Sequence, residues 1–179
     1  MNPTRSVLIA CLFLCSGSAF AQPIDKEPTA AQPINKEPAA IIELGGAPGW
    51  NLTDGKATFG PTIAVEVEPI ERWLELEAGI TSSFSRHSTE WATDLLFKKP
   101  WTLSEKVEFM FGVGPEWIHT RDSGVITNSL GGEVVLDFMF WPSAKHRVGW
   151  YLEPGYEHSF GRGHERSLGI AVGLLIAIP

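Results

Sequence analysis

Beyond residue 40 the chain alternates between apolar and polar side chains through eight successive runs. That period of two marks a β-strand whose two faces meet different surroundings. The first run, Ala40–Gly46, is the least regular. Thr58–Glu68 places Phe59, Ile63, Val65 and Val67 on one face, and Arg72–Ser82 does the same with Leu74, Leu76, Ala78 and Ile80. Thr89–Lys99 follows with Trp91, Thr93, Leu95 and Phe97, and Glu105–His119 with Val107, Phe109, Phe111, Val113 and Trp117. Leu130–Trp141 aligns Val134, Leu136, Phe138 and Phe140, and His146–His158 aligns Val148, Trp150, Leu152 and Tyr156. Ser167–Ile178 ends the series with Leu168, Ile170, Val172, Leu174 and Ile176.

Several runs reach the nine to eleven residues, roughly, that a tilted strand needs to cross a bilayer. Short turns at Glu68–Glu71, Pro100–Thr102 and Trp141–Ala144 alternate with longer polar stretches at Ala47–Ala57, Ser83–Ser88, Thr120–Ser129 and Ser159–Arg166. Aromatics gather at both ends of the runs. Trp73, Phe97, Trp101, Phe140 and Trp141 lie toward the short turns; Phe59, Phe84, Trp91, Trp117 and Tyr156 lie toward the long stretches. Amphipathic rings suit the two membrane–water boundaries.

The N-terminus reads differently. Arg5, the apolar run Ser6–Cys15 and the small-x-small triplet Ala19-Phe20-Ala21 form a secretory signal over residues 1–21. Leu8-Ile9-Ala10-Cys11 has some lipobox character, but the apolar run continues past Cys11, which favours cleavage after Ala21. Both cysteines fall inside the signal, so the exported chain carries no thiol. Residues 22–40 hold most of a decapeptide written twice, with four prolines, and read as an extended disordered linker ahead of a barrel domain at 41–179. A spacer role or a dock for a periplasmic or cell-wall partner would suit it.

Composition narrows the function classes. The formal charge of −7 argues against nucleic acid as a partner. No apolar run after the signal approaches the roughly 20 residues of a membrane helix, so a spanning chain has to close into a barrel. A soluble lipocalin-like barrel with its apolar face inside has the same period. Two features favour lipid. The polar face is mostly Gly, Ala, Glu and Thr rather than a mixed Lys/Glu covering, and the large aromatics lie at the rims.

If the apolar face meets lipid, strand parity turns Glu66, Glu68, Glu75, Glu77, Asp94, Glu108, Glu116, Glu133, Asp137, Glu153 and Glu157 inward. The same parity turns Lys56, Lys98, Lys106, Lys145 and Arg147 inward, leaving an acidic excess. A narrow lumen cannot hold so many ionised, unpaired carboxylates. They must be protonated or hydrated in part, or share a bound divalent cation. No other cofactor is implied. Four histidines, His87, His119, His158 and His164, collect at the long-stretch end and form a weak candidate metal site.

Signal, tether, alternating runs and aromatic rims together resemble the small outer-membrane β-barrels of OmpA/OmpX type over residues 41–179. The resemblance implies an all-β fold: an eight-stranded antiparallel up-and-down transmembrane barrel, preceded by a signal peptide and a Pro-rich linker. It also implies residence in the Gram-negative outer membrane with both termini periplasmic, contact with outer-membrane lipid, and insertion by the barrel-assembly machinery. The expected role is structural or surface-interacting, without an open pore and without enzymatic activity. Some barrels of this size are lipid A deacylases that use a His and a Ser two residues apart on one strand. Here His158-Ser159 and His87-Ser88 are adjacent and point to opposite faces.

Overall fold

The computed structural model describes residues 38–85, 88–143, 145–161 and 163–179. The signal peptide and nearly all of the linker lie outside these residues. Eight strands follow one another: β1 (Ala40–Asn51), β2 (Ala57–Ile70), β3 (Leu74–Phe84), β4 (Ser88–Ser104), β5 (Val107–Asp122), β6 (Val125–Phe140), β7 (Val148–Ser159) and β8 (Arg166–Ile178). Each pairs antiparallel with the next, and β1 pairs with β8 to close the barrel. Closure leaves no strand edge without a hydrogen-bonding neighbour. Ala40 lies opposite Ile178, so the first and last strands meet at one rim.

The alternation resolves into an outer apolar face and an inner polar one. Leu44, Ile63, Val65, Ile80, Leu95, Phe111, Val113, Leu136, Ile170 and Val172 all face outward and are exposed. Cross-strand aromatic contacts reinforce the belt near the rim that carries the termini. Phe109 contacts Trp101 and Phe138 at centroid distances of 5.5 and 5.0 Å, and Phe140 stacks on Trp150 at 3.9 Å. Lys99 reaches over Trp73 at 5.9 Å while its ammonium donates to the Arg72 carbonyl, a cation lifted toward the aqueous edge of the belt. Trp141 departs from the expected rim set. Its parity turns it into the barrel, where it is 1% exposed.

Inside, on the side bounded by β5 to β8, Met110, Met139, Trp141, Tyr151 and Leu175 form an apolar plug, with Ile41, Ala171 and Ala177 packed against it. Tyr151 lies opposite Gly173, which in turn lies opposite Gly45. A Cβ at Gly45 would collide with the Tyr151 hydroxyl, so the missing side chain makes room for that ring across the closing seam. His146 stacks on Trp141 at 5.0 Å and bonds the Glu105 carbonyl at 2.9 Å, tying two turns together beneath the plug.

The connections differ from the expected alternation of short and long. Thr120–Ser129 is not a loop. β5 and β6 continue through it to a two-residue turn at Ser123-Gly124, both with positive φ, 49° and 87°. That is the twist-matched geometry of a tight hairpin. Pro100-Trp101-Thr102 belongs to β4, and the polypeptide turns instead at residues 105–106. The longest connection, residues 141–147, sits at the rim with the termini. Strands overhang at both rims: the β5–β6 hairpin projects beyond β7, whose pairing with β6 stops at Gly131, while β4 accompanies β5 as far as Asp122, and at the opposite rim β4 runs on past β3, whose pairing with it stops at Glu75.

An Arg at Leu136 or Val172 tests the facing directly. In lipid bilayers each should destabilise the folded barrel by about 2–4 kcal/mol, the cost of a guanidinium near mid-bilayer. Glu133→Arg, one face away and among other acids, should cost much less. Urea midpoints of the three refolded variants give the comparison.

Candidate functional site

The lumen centres on one lysine. Lys98 projects from β4 and is fully buried, as are Glu66 of β2, Glu77 of β3 and Asp137 of β6, with Glu153 of β7 almost so. The Lys98 ammonium donates to Asp137 Oδ2 at 2.8 Å. It lies 2.7 Å from Glu153 Oε2 and 3.8 Å from Glu66 Oε1, and is also paired with Glu77. Glu43 of β1 completes the ring; it is 2% exposed and makes no ion pair among the described residues.

Strand register explains the crowding. Glu66 lies directly opposite Glu77, and Asp94 directly opposite Glu116. Glu133 lies opposite Glu157, and Gly131, two residues before Glu133, lies opposite Glu116. Directly opposed like charges destabilise a ladder, so the fold keeps these pairs against a local penalty. A second acidic level, Asp94, Glu116, Glu133 and Glu157 with Glu90 of β4, rises from the Lys98 level toward the hairpin end. Glu90 accepts a hydrogen bond from Thr120 Oγ1 at 2.9 Å. No lysine or arginine reaches this upper level within ion-pair distance among the described residues.

The remaining acids sit lower. Glu108 accepts the Trp141 indole N–H at 3.2 Å, Glu75 lies opposite Lys98 across β3 and β4, and Glu68 accepts the backbone N–H of Arg72 at the turn. Of the eleven acids assigned inward by parity, Glu66, Glu77, Glu116, Asp137 and Glu153 are buried, and Glu68, Glu75, Asp94, Glu108, Glu133 and Glu157 are half-buried.

Four of the five cations expected inside are not there. Parity holds only while a strand continues, and these four lie in turns. Lys106, Lys145 and Arg147 are exposed in the connections 105–106 and 141–147. Lys56 lies in the 52–56 loop, 2.7 Å from Asp54. The hydrogen bond from Lys56 holds the Asp54 carboxyl below its usual range.

Sequence parity missed Glu43 and Glu90. Residues 41–49 alternate poorly because Ile41 and Ile42 are both apolar and Gly45, Gly46 and Gly49 carry no side chain. The signal for Glu43 was its neighbour Leu44, which is exposed on the outer face. Glu90 stands an even number of residues from Asp94 on one strand, so the same parity applies to it.

The described candidate histidines pair with different neighbours. His119 Nδ1 makes a 2.7 Å hydrogen bond with Asn128 Oδ1, and His158 and His164 stack with centroids 6.2 Å apart. His87 lies outside the described residues. Among the described residues, three donors converge at metal-binding separations only at Glu43, Glu77 and Asp137. The Ser159 hydroxyl donates to Ser129 Oγ at 3.2 Å and accepts from the Gly161 N–H, rather than meeting a histidine.

A closed eight-stranded antiparallel cylinder, apolar outside and ionic within, defines the class of the transmembrane β-barrels. Similar solved structures are Neisserial surface protein A (12% identity, TM-score 0.67, covering 78% of this chain and 97% of that one) and the N-terminal β-barrel domain of Pseudomonas aeruginosa OprF (10%, 0.55, 79% and 100%). Another is Ail, the attachment invasion locus protein of Yersinia pestis (13%, 0.53, 79% and 99%). The sequence matches no family model and no curated protein. The chain has the fold of the small eight-stranded outer-membrane β-barrels.

Lys98→Met leaves five carboxylates at its level without a cation. It should cost about 3–5 kcal/mol of stability in detergent, the usual effect of stripping one partner from a buried ion cluster. Adding Asp137→Asn should recover part of that loss. Urea unfolding of single and double variants gives both numbers.

Proposed function

We propose that this chain is an outer-membrane barrel of a Gram-negative envelope, non-conducting and non-enzymatic, which holds a projecting hairpin at one surface and a tether at the other. The observation that carries this reading is the inverted polarity: exposed Leu, Ile, Val, Phe and Trp outside, Lys98 and its carboxylates inside. A soluble protein does not expose apolar surface on such a scale, whereas lipid requires it. A lumen filled by Met110, Met139, Trp141, Tyr151 and the acids leaves no water column of porin width.

The start of β1 and the end of β8 share one rim, and the Pro-rich residues 22–40 directly precede β1 in the sequence. That arrangement suits a periplasmic rim, with the linker free to meet the cell wall and the hairpin of β5 and β6 outside. The exposed Arg121, Asp122, Val125 and Ile126 of that hairpin then form the surface available to a partner. Ail carries attachment in its name, and a projecting hairpin would serve a similar task here. Lipid contact and insertion by the barrel-assembly machinery belong to the same reading.

The absence of cysteine after residue 15 makes a clean topology test. Ser123→Cys, at the hairpin tip, should react with a membrane-impermeant maleimide on intact cells. Glu105→Cys, at the opposite rim, should react only after the outer membrane is permeabilised. The reverse pattern would invert the orientation, and a wholly soluble, heat-unmodifiable protein would remove the membrane reading altogether.

A further inference from the structure

We propose that Glu43, Glu77 and Asp137 bind one hard divalent cation, of the calcium or magnesium kind, inside the barrel. The three residues come from β1, β3 and β6, and all are buried. One carboxylate oxygen from each lies within 4.8 Å of the other two. Calcium holds its oxygens at about 2.3–2.6 Å, so ligands on opposite sides of one ion stand up to roughly 5 Å apart. The observed spread fits within one such coordination sphere.

A gathering of acids is not by itself a site, and the second observation is that two of these side chains each carry a buried oxygen without a hydrogen-bond partner. Glu43 Oε1 is buried without a hydrogen-bond partner, and so is Asp137 Oδ1. Asp137 is divided: Oδ2 is bonded to Lys98 at 2.8 Å, and Oδ1 has no such partner. Glu43 has neither hydrogen bond to Oε1 nor ion pair with Lys98 among the described residues. A buried carboxylate oxygen in that state is costly, and a cation placed among the three would satisfy both.

Lys98 cannot do this alone. Its ammonium has three protons, and Glu66, Glu77, Asp137 and Glu153 already lie around it. A second cation on the Glu43 side would share Asp137 and Glu77 with Lys98, and Glu43 would be the ligand that Lys98 does not pair. The donor set is all oxygen, which selects hard ions over zinc or copper. The upper acids Asp94, Glu116, Glu133 and Glu157 extend the negative potential toward the hairpin end and would draw a cation inward from that side. The inference depends on the barrel interior and not on the proposed surface role.

Calorimetric titration of the folded, chelator-stripped protein with calcium chloride, in nonionic detergent at pH 8, tests it. One saturable site per chain is expected, with magnesium chloride as competitor, and calcium should raise the urea midpoint. Glu43→Gln should weaken calcium binding by at least about tenfold. Glu71→Gln, on the exposed 71–73 turn, should leave it unchanged. Should Glu43→Gln fail to fold, Glu43→Asp keeps the charge and withdraws the oxygen by one methylene, and should weaken binding likewise. No saturable binding by the wild type, or equal affinity in the folded Glu43 variant, overturns the site. Neither result would touch the cysteine-labelling outcome that tests the membrane reading.

Discussion

Hydrocarbon offers a polypeptide no hydrogen-bond partners and no counter-charges, and every level of this structure answers to that constraint. The backbone satisfies itself by closing eight strands on one another, with β1 returning to β8. The side chains then divide by parity. What can face lipid does, and what cannot is turned inward, where Lys98 is the only counter-charge at mid-barrel among the described residues. The register that puts Leu136 against lipid is the register that puts Asp137 on the Lys98 ammonium. A slip of one residue would exchange the two, so outer belt and inner cluster specify the same alignment.

The lumen is graded along its axis. Apolar residues and a stacked histidine fill much of the rim with the termini, one cation and its acids occupy the middle, and acids continue toward the hairpin end. The plug anchors β5 to β8 by ordinary packing, while the ionic level joins β2, β3, β4, β6 and β7 through a single side chain. Buried ion clusters often add little net stability, and in some systems their role is to fix one alignment over its alternatives. Specifying strand alignment in a barrel of otherwise similar strands is a task that suits Lys98.

Much of this was legible in the sequence because one face of each strand meets lipid. Where that holds, as in β5 from Phe109 to Trp117, alternation fixes both the strand and its facing. It fails where the strand leaves lipid. The segment 120–129 is paired on both sides of its two-residue turn yet reads as a polar loop, because neither face there has to be apolar. The same loss explains Lys106, Lys145 and Arg147, whose parity was extrapolated through turns. Glu43 was hidden by the glycines around it, which leave β1 nearly without pattern while making room for Tyr151. Convergence of side chains from non-adjacent strands, such as Glu43, Glu77 and Asp137, depends on barrel closure and has no signature in any one segment.

The inverted polarity is tested most directly by a spin-label scan of β6 in lipid bilayers, one cysteine at a time from Glu133 to Phe138. Accessibility to oxygen, which concentrates in hydrocarbon, should rise at Val134, Leu136 and Phe138 and fall at Glu133, Val135 and Asp137, with period two. Accessibility of the opposite phase, or none with period two, would contradict the account.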